Sequence, residues 1–213
     1  MMGFETEAEM MAELERRTIA MQAHSERINR EQPGLPPITV IIMASDAAGA
    51  DMVDAAVRAG ELSYDKALWQ LGSYSRMTYA LRWQEAGFAT REELLDKLPD
   101  LWPGSDPDDT DARFLQLFRE AFERNGGIVT DGKDLRPGKT LTVYRGQRPY
   151  DEVGFAWSLD RKVAQKFANV ASFRQPVAGE VIQRKVAREQ VLAYFTGRNE
   201  KEVILDLEEG ESR

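Results

Sequence analysis

The 213-residue sequence contains no cysteine and only one histidine, His24. The missing cysteines exclude disulfides, thiolate metal sites and cysteine nucleophiles. A single histidine excludes a metal site with two histidine ligands. It also excludes a serine–histidine triad in the C-terminal third, because His24 lies in a polar N-terminal segment. We therefore expect chemistry that needs no metal.

Long apolar runs are also missing from the sequence. No stretch approaches the ~20 apolar residues that a membrane-spanning helix needs. The acidic N-terminus, Met1 to Glu7, has no apolar core of signal-peptide length. The sequence thus predicts a cytoplasmic protein without membrane attachment.

Charge, by contrast, is abundant and unevenly distributed, with a net charge of −8. Residues 1–126 carry 13 Lys and Arg against 23 Asp and Glu, whereas residues 127–213 carry 15 against 13. The acidic part is unsuited to binding nucleic-acid phosphates. The mildly basic C-terminal part suits an anionic small molecule.

The apolar period changes from helical to strand-like along the chain. Helical spacing predicts helices in residues 1–30, 45–60, 63–87, 90–98 and 109–124. Alternation predicts strands in 140–144, 154–159, 180–186, 191–194 and 202–207, interrupted by one helix at about 161–169. Helices first and strands second indicate an α+β fold. We divide the chain into an acidic helical region, residues 1–104, and a strand-rich domain, residues 105–213.

Three short segments of the strand-rich part contain residues suited to chemistry. Arg145 ends an apolar strand, where a guanidinium can hold two phosphate oxygens in a planar fork, and Gly146 lets the backbone approach a ligand. A structural ion pair is the alternative interpretation of Arg145. Ser158 ends a second strand just before a helix, which Ser158 or Asp160 can cap.

The third segment contains Glu200 and Glu202. In an extended chain, carboxylates two residues apart project to the same side. Like charges so close raise one pKa, which suits proton transfer, and a carboxylate beside a sugar C1 stabilises an oxocarbenium-like transition state. The alternative is a charged strand end beside Arg198 and Lys201.

Taken together, these segments resemble the mono-ADP-ribosyltransferases of the arginine–serine–glutamate class, in particular their small bacterial and phage members. The resemblance covers about Thr140 to Asp206. The matching segments are Tyr144-Arg145-Gly146, Trp157-Ser158-Leu159-Asp160 with Ala164, Phe167 and Ala168, and Glu200-Lys201-Glu202. The resemblance implies a split antiparallel β core that binds NAD as a substrate. The class with a histidine in place of the arginine is excluded here, since the chain has only His24.

The resemblance also implies roles for single residues. Arg145 would hold NAD through a phosphate and the nicotinamide ribose, and Gly146 would offer backbone groups to the nicotinamide amide. Glu202 would be the catalytic glutamate, and Glu200 would meet the acceptor, with arginine as the family's usual target for such a glutamate. Ser158 would complete the serine motif and cap the helix. Further cofactor contacts would come from Tyr144, Ala156, Trp157, Phe167, Phe173 and Arg174.

One position departs from the family pattern. Ala156 stands where the family usually has a serine that orients NAD and the catalytic glutamate. Losing one positioning hydrogen bond costs on the order of 1–3 kcal/mol. Three functions therefore remain: transfer of ADP-ribose to a macromolecular acceptor, such as a host protein or a nucleic acid; hydrolysis of NAD; or binding by a catalytically weakened relative.

Two other patterns suggest sites that we reject. Pro137-Gly138-Lys139-Thr140 resembles the end of a phosphate-binding loop, but it precedes a strand instead of opening a helix. Asp106, Asp108, Asp109 and Asp111 resemble calcium ligands without the glycine and glutamate of a calcium loop. We interpret them as a favourable helix N-terminus. Trp69, Trp83 and the phenylalanines of the helix at 109–124 are expected in the core.

Overall fold

The computed structural model describes residues 7–33, 35, 37–135, 138–147, 152–169 and 179–207. This part of the chain is α+β, as the sequence predicts. Its α-helices are α1 (Glu7–Glu31), α2 (Pro37–Arg58), α3 (Tyr64–Leu68), α4 (Arg76–Glu85), α5 (Arg91–Leu101), α6 (Ala112–Asn125) and α7 (Arg161–Ala168). Its strands are β1 (Val129–Thr130), β2 (Thr140–Gln147), β3 (Ala156–Ser158), β4 (Glu180–Ala187), β5 (Val191–Phe195) and β6 (Glu202–Leu205).

The six strands form one mixed sheet in the order β1-β5-β6-β3-β2-β4. Every pairing is antiparallel except that of β1 with β5. The resemblance implies a split antiparallel β core, and the parallel pair of β1 and β5 makes the observed sheet mixed at this edge. The two residues of β1 show no alternation that sequence reasoning could use.

The ladders on the two sides of β2 differ in length. The β2–β4 ladder runs from Thr140 to Gln147, whereas β2 and β3 are in register at Tyr144 and Ser158. No further described residue pair of these two strands is in ladder register, and the Arg145 guanidinium donates to the Ala156 carbonyl at 2.8 Å. The cleft described below lies at this point.

Helix α6 packs on one face of the sheet against β1 and β5. The apolar side chains of α2 to α6 share a single buried cluster with Ala193, Phe195 and Ile204. At its centre Trp102 lies edge-on to Phe118, with ring centroids 4.8 Å apart. This cluster contains residues from both sides of the boundary predicted at 104/105. A smaller cluster around Val143, Trp157 and Val203 covers the opposite face.

The N-terminal helices differ from the sequence prediction in two places. α2 begins at Pro37 and includes the apolar residues 38–43, which lie before the helix predicted for 45–60. Proline is tolerated there, because a proline in the first turn loses no helical hydrogen bond. The single helix predicted for 63–87 is two helices, with Gly72 between them. A side chain at Gly72 would overlap the Asp46 carboxylate.

Helix α5 begins with a capping box, as the sequence Thr90-Arg91-Glu92-Glu93 predicts. The Glu93 backbone N–H donates to the Thr90 hydroxyl at 3.2 Å, and the Glu93 carboxylate accepts from the Thr90 N–H at 2.7 Å. Trp83 is fully buried, but Trp69 is 57% exposed with Arg76 over its ring, so its expected core position is wrong. None of the described helices has the length and apolar character needed to cross a bilayer.

Candidate functional site

One cleft of about 230 Å³ collects the predicted site residues. It lies where β2, β3 and β6 meet the start of α7 and the loop before α6. Of the eleven site residues predicted from sequence, nine line it: Tyr144, Arg145, Gly146, Ala156, Trp157, Ser158, Phe167, Glu200 and Glu202. The other two, Phe173 and Arg174, lie outside the described residues.

Glu202 begins β6 and lies deep in this cleft. It pairs in register with Ser158 on one side and Phe195 on the other. Its carboxyl keeps limited contact with solvent through the cleft, while protein surrounds it on the remaining sides. Burial raises the pKa of Glu202 to about 8, helped by the charges of Glu200 and Asp109, and opposed by a hydrogen bond from Trp102 and by Arg198.

The loop before Glu202 has an unusual backbone. Arg198, Asn199 and Lys201 have φ values of 52°, 62° and 48°, in the left-handed region that side-chain-bearing residues seldom adopt. Such strain persists only where surrounding contacts hold it. The Asp131 carboxylate supplies one of these contacts, because it accepts from the backbone N–H groups of Thr196 at 2.6 Å and Gly197 at 2.9 Å.

The conformation of this loop differs from the extended chain that the sequence predicts for Glu200 and Glu202. Glu200 follows a 3-10 turn with φ −90° and ψ −17°, and Lys201 is left-handed, so the segment is not extended. Both carboxylates nevertheless line the cleft, because the turn brings them there. The prediction that Glu200 and Glu202 lie close together is therefore correct, but an extended strand is not the cause.

Ser158 holds this loop in place. Its hydroxyl donates to the Glu200 carbonyl at 2.6 Å and accepts from the Asp160 N–H at 2.9 Å. Asp160, not Ser158, caps α7, since its carboxylate accepts from the Lys162 N–H at 2.9 Å. The expectation that Ser158 caps the helix is therefore wrong, and its hydroxyl fixes the glutamate loop instead.

Gly146 is needed for packing. A Cβ at this position would overlap the Ala164 carbonyl and crowd the Ala168 N–H, so α7 lies directly against β2 only because residue 146 has no side chain. Phe167, on the same helix, is half-buried and forms part of the cleft wall. Trp157 is 2% exposed, and most of its ring packs in the second cluster with Arg184 over its face.

Arg145 forms the ion pair that the sequence left open as an alternative. Both oxygens of the Asp109 carboxylate accept from its two terminal nitrogens. Its Nη1 also donates to the Ala156 carbonyl at 2.8 Å, and its Nε donates to the Gln147 side chain at 2.9 Å. A guanidinium has five N–H groups. Four of them donate to described residues, and the fifth, on Nη2, has no partner within the described part of the chain and is available to a ligand.

Sequence reasoning missed the contribution of the loop before α6. Of its four aspartates, Asp111 caps α6, as a favourable N-terminus requires. Asp109 instead pairs with Arg145, and Asp106 accepts from Arg198 at 3.1 Å. A helix needs only one capping residue. The presence of four aspartates within six positions could therefore have indicated that some of them have a role other than capping α6.

Trp102 was missed as well. Its ring belongs to the main core, yet it lines the cleft and its side chain hydrogen-bonds the Glu202 carboxyl. Within the described part of the chain, no three His, Asp or Glu side chains are grouped so that they could hold a metal ion.

Comparison with protein-family models, with curated proteins and with solved structures finds no match to this chain. The functional conclusion therefore depends on the residues of the cleft and their chemistry.

Proposed function

We propose that this protein cleaves the nicotinamide–ribose bond of NAD and transfers the ADP-ribose to a macromolecular acceptor. The observation that supports this most directly is the convergence of Arg145, Ser158 and Glu202 on one cleft. These three residues are separated by up to 57 positions in the sequence, yet Ser158 and Glu202 are register partners and Arg145 lines the same cavity. The resemblance to arginine–serine–glutamate transferases requires this convergence.

In the proposed reaction the C1′–N bond breaks and its electron pair leaves with nicotinamide. An acceptor nucleophile then bonds to C1′ and loses its proton. Positive charge develops on the ribose as the bond breaks, and a carboxylate held next to it lowers the barrier. Glu202 is the group suited to this role, because it lines the cleft at the position that matches the family's catalytic glutamate.

The protonation state of Glu202 sets the conditions for this chemistry. With a pKa of about 8, Glu202 is largely neutral at pH 7 in the free protein. Its ionised form, which stabilises a cation, therefore becomes populated as the pH rises toward 8. A positively charged nicotinamide ring brought beside it favours the ionised form, because opposite charges lower a carboxyl pKa.

Glu200 is the residue we assign to the acceptor. It is separated from Glu202 by one residue, the left-handed Lys201, and it lines the same cleft. Arg198 lies 4.0 Å from its carboxylate, measured from Nε to Oε2. A guanidinium is therefore already accommodated beside Glu200, which favours an arginine side chain of a host protein as the acceptor.

Two other functions stay open, each with one observation in its favour. Hydrolysis of NAD needs only water as acceptor, and the limited solvent contact of Glu202 through the cleft supplies it. A binding protein with weakened turnover is favoured by Ala156, which offers the cleft no side-chain hydroxyl. Its N–H and carbonyl are both engaged, with Asp109 at 3.2 Å and with Arg145.

Labelled NAD, incubated with the protein in the presence and absence of cell lysate, separates these functions. Transfer tags a macromolecule, hydrolysis releases labelled ADP-ribose without lysate, and a binding protein does neither. We expect Glu202→Gln to lower transfer by ~10²-fold with little change in NAD affinity, as for a group acting on developing charge. Glu123→Gln, an exposed change on α6, is the matched control.

If Glu202→Gln keeps the full rate, the catalytic role of this residue is refuted. Ala156→Ser tests the departure from the family pattern, since a restored hydroxyl should raise turnover about tenfold. A protein that stays silent with every acceptor, with and without this change, supports the binding function instead.

A further inference from the structure

Asp109 is the least expected residue of the cleft, and the loop that carries it is firmly attached to β3. The Phe155 N–H donates to the Asp109 carbonyl at 3.0 Å, and the Ala156 N–H donates to its carboxylate at 3.2 Å. Gly154 lies against the same carboxylate, where any side chain would overlap it. Hydrogen bonds therefore hold both the backbone carbonyl and the carboxylate of Asp109 against the start of β3.

Asp109, Arg145 and Ala156 form a closed ring of hydrogen bonds. Asp109 accepts from the Arg145 guanidinium and the Ala156 N–H, and the Ala156 carbonyl accepts from the same guanidinium. The side chains of Asp109 and Arg145 are only 20% and 16% exposed. The ring bridges β2 and β3 beside the register pair Tyr144–Ser158, where the backbone ladder gives way to the cleft.

The ring also decides how Arg145 faces a ligand. Its two terminal nitrogens are directed at the Asp109 carboxylate, which engages the paired edge of the guanidinium. Breaking a partly buried ion pair leaves an uncompensated charge, so exchange of Asp109 for a ligand is costly.

We propose that Asp109 is a positioning residue of this site: it locks the Arg145 guanidinium and the first residue of β3 into the cleft wall and neutralises the charge of Arg145. Arg145 then meets a ligand through its remaining N–H, and not through a two-pronged grip. The consequence for catalysis rests on the function proposed above, but the positioning and neutralising role does not.

The proton affinity of Glu202 reports on this role. Arg145 and Asp109 line the cleft with it as an internally paired couple, as do Arg198 and Asp106. Glu200 adds a negative charge, and Lys201, the neighbouring cation, is paired with Asp160 at 3.1 Å. Removing one member of a couple therefore changes the net charge around Glu202 by one.

The test is a titration of the Glu202 carboxyl by ¹³C NMR, with its signal assigned by its loss in Glu202→Gln. We expect a midpoint near pH 8 in the unchanged protein. In Asp109→Asn the midpoint should fall by about one pH unit, because Arg145 is no longer neutralised. In Arg145→Gln it should rise, because Asp109 is then the uncompensated charge.

The opposite shifts of the Glu202 midpoint in Asp109→Asn and Arg145→Gln distinguish a change of charge from a loss of packing. A loosely packed cleft would admit water and lower the midpoint in both variants. Asp111→Asn is the matched control, because Asp111 lies two residues from Asp109, caps α6 and does not line the cleft. In this variant the titration midpoint of Glu202 should not move. If Arg145→Gln fails to fold, Asp109→Glu replaces it and should keep the midpoint of the unchanged protein. An unmoved midpoint in Asp109→Asn, or a fall in every variant, overturns the proposal.

A second measurement connects Asp109 with turnover. We expect kcat/KM for NAD to fall at least tenfold in Asp109→Asn, and NAD to bind less tightly. Tighter binding would mean that Asp109 competes with a phosphate for Arg145, which overturns the positioning role. If the unchanged protein does not turn over NAD at all, the proposed function fails while the titration still decides the role of Asp109.

Discussion

Replacing Glu202 by glutamine should stabilise the protein at alkaline pH. In the folded chain, burial raises the pKa of this carboxyl to about 8, whereas the ordinary value is 4.5. Between these values the unfolded chain has lost the proton and the folded chain has kept it. Stability contributed by the neutral carboxyl is therefore complete below pH 4.5 and declines as the pH rises toward 8.

The size of the effect follows from the same two values. A difference of one pKa unit corresponds to 1.36 kcal/mol. Integrating between pH 5 and pH 8 with a folded pKa of about 8 and an unfolded value of 4.5 gives a loss of about 3–4 kcal/mol in the free energy of unfolding. For a chain of this length, that is about 6–16 °C in melting temperature.

Glutamine is a neutral side chain of the same shape and does not titrate. We expect Glu202→Gln to melt close to the unchanged protein at pH 5, and well above it at pH 8. Circular dichroism melts of both proteins at the two pH values measure this, and the difference between proteins cancels the titration of all other groups. The exposed Glu123→Gln should give the same small difference at both pH values.

A gap between Glu202→Gln and the unchanged protein that does not widen from pH 5 to pH 8 would refute the reasoning. It would mean that Glu202 ionises without penalty, so that the cleft is wetter than its packing suggests. A widening gap together with lost activity would show that the protein keeps a destabilising acidic group because the site needs it.

Gly146→Ala should cost about 2–3 kcal/mol in urea unfolding, because the new Cβ overlaps the Ala164 carbonyl and displaces α7. Asp131→Ala should cost about 2 kcal/mol by the same measurement and lower turnover further than stability explains, since it frees the strained loop before Glu202. Thr90→Ala should cost about 1 kcal/mol through the lost capping box and leave turnover unchanged. In pH–rate measurements, kcat/KM for NAD should rise with pH and level off above about 8, as Glu202 loses its proton; a profile flat from pH 6 to 9 would contradict the role of that carboxyl.

Sequence patterns predicted the structure correctly where a feature depends only on residues that are close together in the sequence. The capping box at Thr90 and the glycine stop of α6 at Gly126 depend on neighbouring residues, and the structure contains both of them. Sequence reasoning failed where distant residues decide. The helix predicted for 63–87 breaks at Gly72, which is packed against Asp46 of another helix. Trp69 has a large apolar side chain, typical of a core residue, yet it is 57% exposed.

The sequence by itself determined the kind of fold and nine of the residues that line the cleft. Hydrophobic period, glycine positions and the spacing of Arg145, Ser158 and Glu202 are properties of short segments, and each segment could be interpreted alone. Only the tertiary structure decided what surrounds them. Asp109 faces Arg145 from 36 residues away, and Trp102 faces Glu202 from across the core. Proton affinity and guanidinium orientation depend on such neighbours because burial and charge act through space, and the order of residues along the chain does not record distances in space.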